Sequence, residues 1–350
     1  MNDKKIAFIT CVNNETVYEE CKYYLNRLSV PTGYETDVIA VTEAPSMTAG
    51  YNAGMQSSDA RYKVYLHQDV MIVNSRFLFD LLNVFASDPE IGLLGMIGAR
   101  RLDDHARAIT NWDTGKVLHN CTPSRLEYEM ASGTLCQEVE AIDGLLIATQ
   151  EDVPWREDLF DGWHYYDISQ CMEFMRIGRK IVVPYQEEPW VWHDNAYSKM
   201  QDYYRYVDLF IREYGDLHAF VKAPVPEPVQ EFNELKERTR SEMFGLIDRG
   251  FRKELVELFR NPTNRGYLYL KEIQMIADIE GLETAEGTTQ RLWRESSDTH
   301  TLLEDLRRLK YLLKRVEFGT EPSEPLLQAI RSEYSPYAEQ VVREAYRFKS

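Results

Sequence analysis

Three short stretches hold the residue types best suited to chemistry. Val64-Tyr65-Leu66-His67-Gln68-Asp69-Val70 runs apolar and then breaks into polar side chains, leaving one carboxylate where a buried strand ends. Residues 160–167 read Phe160-Asp161-Gly162-Trp163-His164-Tyr165-Tyr166-Asp167, and residues 191–194 read Val191-Trp192-His193-Asp194. Together they offer a metal ligand, a second carboxylate and a late histidine. Carboxylates and imidazoles hold divalent cations, and a positioned carboxylate can take a proton from a hydroxyl. Ligands of open α/β sheets sit where strand ends and helix N-termini converge, so these residues are only as useful as the elements that bring them together.

Those elements alternate through the first two hundred residues. Ile6 to Ile9 reads as a buried strand, and Val17 through Leu28 has helical spacing. Val38 to Val41 is a second strand, Gly50 to Ser58 a short helical turn and Val64 to Leu66 a third strand. Phe77, Leu78, Leu81, Leu82 and Phe85 share a helical face. Further apolar strands run from Ile91 to Ile97 and from Ala141 to Ala148. Gly178-Arg179-Lys180-Ile181-Val182-Val183-Pro184 reads as a turn and a strand stopped by proline. Such alternation predicts an α/β fold with a largely parallel sheet. Ala223-Pro224-Val225-Pro226-Glu227-Pro228 then predicts an extended spacer, beyond which a charged helical pattern continues to Ser350. The expected organisation is an α/β domain over 1–222, a proline-rich linker over 223–230 and a smaller all-α domain over 231–350.

Composition narrows the function. A chain of 350 residues with 44% hydrophobic content can build a full core and two domains. Its net charge of -17 argues against general nucleic-acid binding, which depends on neutralising phosphates. Cys11, Cys21, Cys121, Cys136 and Cys171 are odd in number and form no CxxC pair, which favours a reducing, cytoplasmic setting over a disulfide framework. The apolar run near the N-terminus is too short for a signal peptide. No window approaches the ~20 apolar residues of a transmembrane helix.

From Ile6 to about Asp194 the order of these pieces resembles the family 2 glycosyltransferases, and within them the branch related to the StrF protein of streptomycin biosynthesis. Phe8-Ile9-Thr10-Cys11-Val12-Asn13-Asn14-Glu15 is similar to the family's first strand and loop, with Thr10 where proline is usual. Glu43, after the second strand, falls near the acidic position that contacts the base, and Ala49-Gly50-Tyr51-Asn52-Ala53-Gly54 is similar to the segment before the third strand. His67-Gln68-Asp69 occupies the place of the Asp-x-Asp motif, with His67 replacing its first acid. Asp143-Gly144 resembles the segment beneath the acceptor, and 160–167 the motif that supplies the base, with Tyr166 at the usual neighbouring acid.

The resemblance implies a GT-A fold, the nucleotide-diphospho-sugar transferase type with a Rossmann-like mixed sheet. It implies an inverting glycosyltransferase that moves a sugar from a nucleoside-diphosphate donor, a UDP-sugar by class, to an acceptor hydroxyl. Asp69 and His193 would hold a divalent cation, Mn2+ or Mg2+, and Asp167 would be the general base. Thr10, Cys11, Asn13, Glu15, Glu43, Asn52, His67 and Gln68 would line the nucleotide-sugar site, and Asp143, Gly144 and His164 the acceptor side. His67 either keeps a place at the metal, contacts the ribose or marks a loss of metal dependence.

Plainer roles compete for the same residues. Asp167 suits the N-cap of a helix from Ile168 to Ile177, and His193 suits an aromatic cluster with Trp190, Trp192 and Tyr197. Asn13 and Asn52 suit turns, His164 suits the core, and Cys11 suits a small buried hydrophobe. The altered motif also leaves room for an inactive nucleotide-sugar binding or assembly subunit, and paired carboxylates for a glycoside hydrolase. Near the C-terminus Leu306, Leu309, Leu312, Leu313 and Val316 line one helical face beside Arg307, Arg308, Lys310, Lys314 and Arg315. Such a helix packs within its own domain, binds a partner or an anionic surface, or joins copies of the chain. The acceptor is left open between glycan, protein and small molecule.

Overall fold

The computed structural model describes residues 1–106, 111–119, 125–128, 130, 133–194, 203 and 205–220. The chain divides into two units, Met1–Pro226 and Glu227–Ser350, and all described residues lie in the first. The whole of the expected linker over 223–230, the expected C-terminal domain and the helix expected to carry Leu306 to Val316 therefore fall outside the described residues, as does Tyr197.

The chain runs β1 (Asn2–Val12), α1 (Glu15–Leu25), β2 (Glu35–Thr42), α2 (Met47–Gln56), β3 (Ala60–Leu66), β4 (Val70–Ile72), α3 (Phe77–Ser87), β5 (Ile91–Gly95) and β6 (Ile97–Ala99). It continues with β7 (Thr114–His119), β8 (Arg125–Tyr128), β9 (Cys136–Val139), β10 (Ala141–Ile142), β11 (Leu146–Thr149), α4 (Tyr166–Arg176), β12 (Lys180–Pro184), β13 (Val191–His193) and α5 (Val207–Tyr214). Local chemistry sets these ends. Asn14 caps α1 by accepting the Val17 N–H at 3.1 Å, and Ser46 caps α2 by accepting that of Ala49.

Seven strands form the main sheet in the order β2-β1-β3-β11-β5-β12-β9. Side chains alternate across it, as strand geometry requires. Ile6, Phe8 and Val12 face α1 and α3, while Ala7, Ile9 and Cys11 face α2, α4 and α5. The result is a three-layer α/β core. Gly50 shows how closely the layers meet, because a Cβ there would lie 2.3 Å from the Cys11 sulfur.

The expectation of a largely parallel sheet is corrected. β1 is parallel to β2 and β3, and β12 to β5, but β11 runs antiparallel between β3 and β5, and β9 antiparallel to β12. The sheet is mixed. A second sheet, β10-β6-β7-β13-β4 with β8 on β7, had no counterpart in the sequence reading. Its pairing of β13 with β4 sets His193 opposite Val70. Among the described residues no helix is long and apolar enough to cross a membrane.

Candidate active site

Strand pairing assembles the first half of the site. β3 stops at Leu66, and the His67 N–H bonds the Leu145 carbonyl at 3.0 Å just beyond the β3–β11 ladder. Asp69 follows in the turn into β4, and its carbonyl accepts the Asp194 N–H at 2.8 Å. His67, Asp69 and His193 therefore converge, offering ligand atoms within 4.8 Å of one another. His193 Nε2 lies 3.5 Å from Asp69 Oδ1, and His67 Nδ1 lies 3.9 Å from the same oxygen.

These three residues fit a cation. Metal–ligand bonds of about 2.1 Å place donors roughly 3–4 Å apart, which the two distances to Asp69 match. Two imidazoles and one carboxylate favour a borderline ion such as Mn2+ over Mg2+, which prefers all-oxygen ligands. The charges are already tuned. Burial raises the Asp69 carboxyl, but His193 and then His67 outweigh it and hold its pKa at about 2. Burial lowers both imidazoles; next to Asp69, His193 nevertheless ends above its ordinary value, while His67 stays below.

The aromatic-cluster reading of His193 rests in part on Tyr197, which lies outside the described residues. Trp192 packs edge-on against Tyr24 and Trp190 against Phe77, whereas the His193 ring lies 5.5 Å from that of His67.

The second half is built at the start of α4. Tyr165, not Asp167, stands at the cap position, in a left-handed backbone conformation with φ of 64°. Such a conformation is strained for a bulky residue. Here the hydroxyl of Tyr165 donates to the Ala106 carbonyl at 2.9 Å, and its ring packs 4.7 Å from Tyr203 and 5.4 Å from Phe210. Tyr166 and Asp167 open the helix itself, which corrects the expected start at Ile168 and the capping role with it.

Asp167 accepts the Gly144 N–H at 3.0 Å and the Ile168 N–H at 2.9 Å. Burial, reinforced by the neighbouring charge of Asp143, pushes its pKa up to about 7 despite these bonds. Asp143 is fixed in turn, accepting the Leu145 N–H at 2.9 Å. Gly144 has to be glycine, since a Cβ would meet the Tyr166 hydroxyl at 2.1 Å. That hydroxyl is hydrogen-bonded to His67 Nε2, a direct side-chain link between the two halves. His164 flanks this loop with its ring 5.7 Å from Tyr203, half-buried rather than core.

The nucleotide-side residues divide into two groups. Gln68 accepts the N–H groups of Asn13 and Asn14 at 3.0 and 2.9 Å and bonds the Asn13 side chain, so it clamps the loop after β1. Glu15 and Glu43 are exposed at the ends of β1 and β2, Glu43 in a left-handed conformation with φ of 56°. Thr10, Cys11 and Asn52 are instead buried in the scaffold. Burial pushes the Cys11 thiol up to about 12, as befits a small hydrophobe. Asn52 donates to the Trp155 carbonyl and accepts the Trp155 N–H, both at 2.9 Å, which places it as a structural clamp and not a turn residue.

Tyr165 and Tyr166 are the site-building residues whose roles the sequence reading missed. A tyrosine pair just before an acid carries no periodic signal. Tyr166 had a partial clue in its position where the resembling family has an acid.

Comparison with known proteins gives one family. Residues 7–214 match the model described as "Glycosyltransferase like family". No curated protein matches significantly. Among solved structures, S. aureus TarS 1–349 in complex with UDP is 14% identical over 90% of this chain and 92% of that chain, with a TM-score of 0.41. The mannosyltransferase PcManGT from Pyrobaculum calidifontis, in complex with GDP-Man and Mn2+, is 11% identical over 99% of this chain and 86% of that chain, with a TM-score of 0.38.

Proposed function

The chain belongs to the glycosyltransferase-like family and is a glycosyltransferase, and from that premise we propose that it is a cation-assisted, inverting enzyme of GT-A fold acting on a nucleoside-diphosphate sugar. One observation carries the reading. A ligand triad of His67, Asp69 and His193 is joined through Tyr166 to a carboxylate, Asp167, whose pKa is pushed up to about 7.

The chemistry follows from these positions. His67, Asp69 and His193 would hold the cation, which when bound serves as Lewis acid for the departing diphosphate. Asp167 takes the proton of the attacking acceptor hydroxyl. A base is most effective with a pKa near working pH, and burial beside Asp143 gives Asp167 that value. The Gly144 and Ile168 N–H groups fix its direction. A single base implies one displacement, hence inversion at the anomeric carbon. Gln68 holds the loop of Asn13 and Asn14 against the turn that carries Asp69, and Glu43 and Glu15 stand at the same strand ends, where the nucleoside would lie.

UDP is the donor class by resemblance. The chain is laid out as a transferase domain over 1–222, a linker over 223–230 and a helical domain over 231–350 suited to acceptor binding or self-association.

A thermal-shift series with UDP, GDP and dTDP, with and without Mn2+, tests the donor site. A ligand at ~100 times its dissociation constant should stabilise the protein by about 2.7 kcal/mol. Mn2+-dependent stabilisation by one nucleotide, lost in Asp69→Asn, supports the reading. Stabilisation by none of them overturns it. Donor turnover that survives intact in Asp167→Asn would instead remove Asp167 as base.

A further inference from the structure

We propose that Tyr166 is a positioning residue for the cation site, accepting the Nε2–H of His67 so that Nδ1 presents a lone pair to the ion. The inference rests on the functional reading above and extends it to a residue that touches neither cation nor sugar.

A neutral imidazole carries one N–H and one lone pair, and which nitrogen holds which is set by the partner of the other. His67 shows the two nitrogens separated in this way. Nδ1 faces Asp69, 3.9 Å from its Oδ1, while Nε2 is hydrogen-bonded to the Tyr166 hydroxyl. A hydroxyl can donate or accept. If it donated, Nδ1 would carry the proton and aim it at the place between Asp69 and His193 where a cation belongs. If it accepts, Nδ1 is a ligand. Occupation of the triad thus demands that Tyr166 accept.

Tyr166 is held where it can do this. It is the first residue of α4 and is buried, with its ring lying against Gly144 so tightly that no Cβ fits. The rings of Tyr51 and Trp155 lie 6.0 and 6.3 Å away. Phenylalanine would fill the same space, so only the hydroxyl separates a residue that orients His67 from one that merely packs. The next residue is Asp167. One helix start therefore sets both the tautomer of a cation ligand and the direction of the base.

The test uses the full chain, Mn2+ alone as probe and the variant Tyr166→Phe. Loss of an outer hydrogen bond to a ligating histidine typically weakens metal binding by roughly 10–100-fold, and that is the expected loss by EPR titration of free Mn2+. Metal-free protein supplies a second readout through 15N-detected histidine NMR. His67 should be protonated on Nε2 in the wild type and a mixture of tautomers in Tyr166→Phe. In a His67→Ala background the added Tyr166→Phe should cost nothing further, as expected if Tyr166 acts through His67. Unchanged Mn2+ affinity and an unchanged tautomer in Tyr166→Phe overturn the role of Tyr166 alone. Wild-type protein that binds no Mn2+ overturns the cation reading and this proposal with it.

Discussion

Asp69 and Asp167 lie on either side of the His67–Tyr166 contact, and their environments drive them apart. Burial pushes both carboxyls up. At Asp69 two imidazoles reverse the push and hold the pKa at about 2; at Asp167 another carboxylate, Asp143, adds to the push, and the value reaches about 7. Their supports differ as well. The Asp69 corner is stitched by backbone pairing between β3 and β11 and between β4 and β13, while the Asp167 corner hangs on a left-handed tyrosine and an aromatic cluster. On the proposed reading, diverging pKa values in neighbouring acids would separate their tasks, one staying charged to hold a cation and the other free to exchange a proton.

Three substitutions and two pH series would break or sharpen this contrast. Asp69→Asn should have the largest effect, removing Mn2+-dependent nucleotide binding and lowering transfer by roughly 10³-fold or more, given the several kcal/mol a Lewis acid supplies. Calorimetry with Mn2+ and a donor turnover assay check it, and a variant that still needs Mn2+ would dissolve the contrast. Asp167→Asn should keep Mn2+ and nucleotide affinity yet lose about 10²–10³ in kcat. Wild-type kcat/KM should rise with pH through about 7 as Asp167 ionises, a limb the variant should lack in a pH–rate series.

Asn52→Ala probes the scaffold between the corners. It strips two buried bonds from the Trp155 backbone and should cost about 1–3 kcal/mol in urea denaturation. Mn2+ affinity should not follow; if it falls in parallel, the two corners are not separately supported. The smallest effect is electrostatic. The folded protein holds the Asp167 proton more tightly than the unfolded chain does, so this contribution to stability is full below the ordinary carboxylate pKa and is lost as pH rises through about 7. The Tm of Asp167→Asn relative to wild type should therefore climb between pH 4 and pH 8.

Much of the main sheet was legible because its strands are apolar and its helices periodic. β1, β2, α1 and α3 were found within a few residues, and the charged break after Leu66 located the functional turn. The second sheet was not legible. β4, β6, β10 and β13 are two or three residues long, too short for a period to show. Without β13 nothing in the sequence places His193 beside Asp69 except resemblance. The antiparallel run of β11 was hidden for a related reason, since direction depends on a connection through that second sheet. Asn52 and Tyr166 misled or escaped notice because their partners, Trp155 and His67, lie about a hundred positions away.

The clamp that Gln68 places on Asn13 and Asn14 also decides how a diphosphate can be greeted. In many nucleotide-binding folds the first strand–helix turn offers free amides to phosphate. Here the Asn13 and Asn14 amides are already given to Gln68, that of Val17 is given to Asn14, and Glu15 sets a negative charge in the first turn. This helix start repels an anion instead of cradling it. On the proposed reading, the countercharge for the phosphates would then come from a cation at the His67–Asp69–His193 corner and not from this helix start.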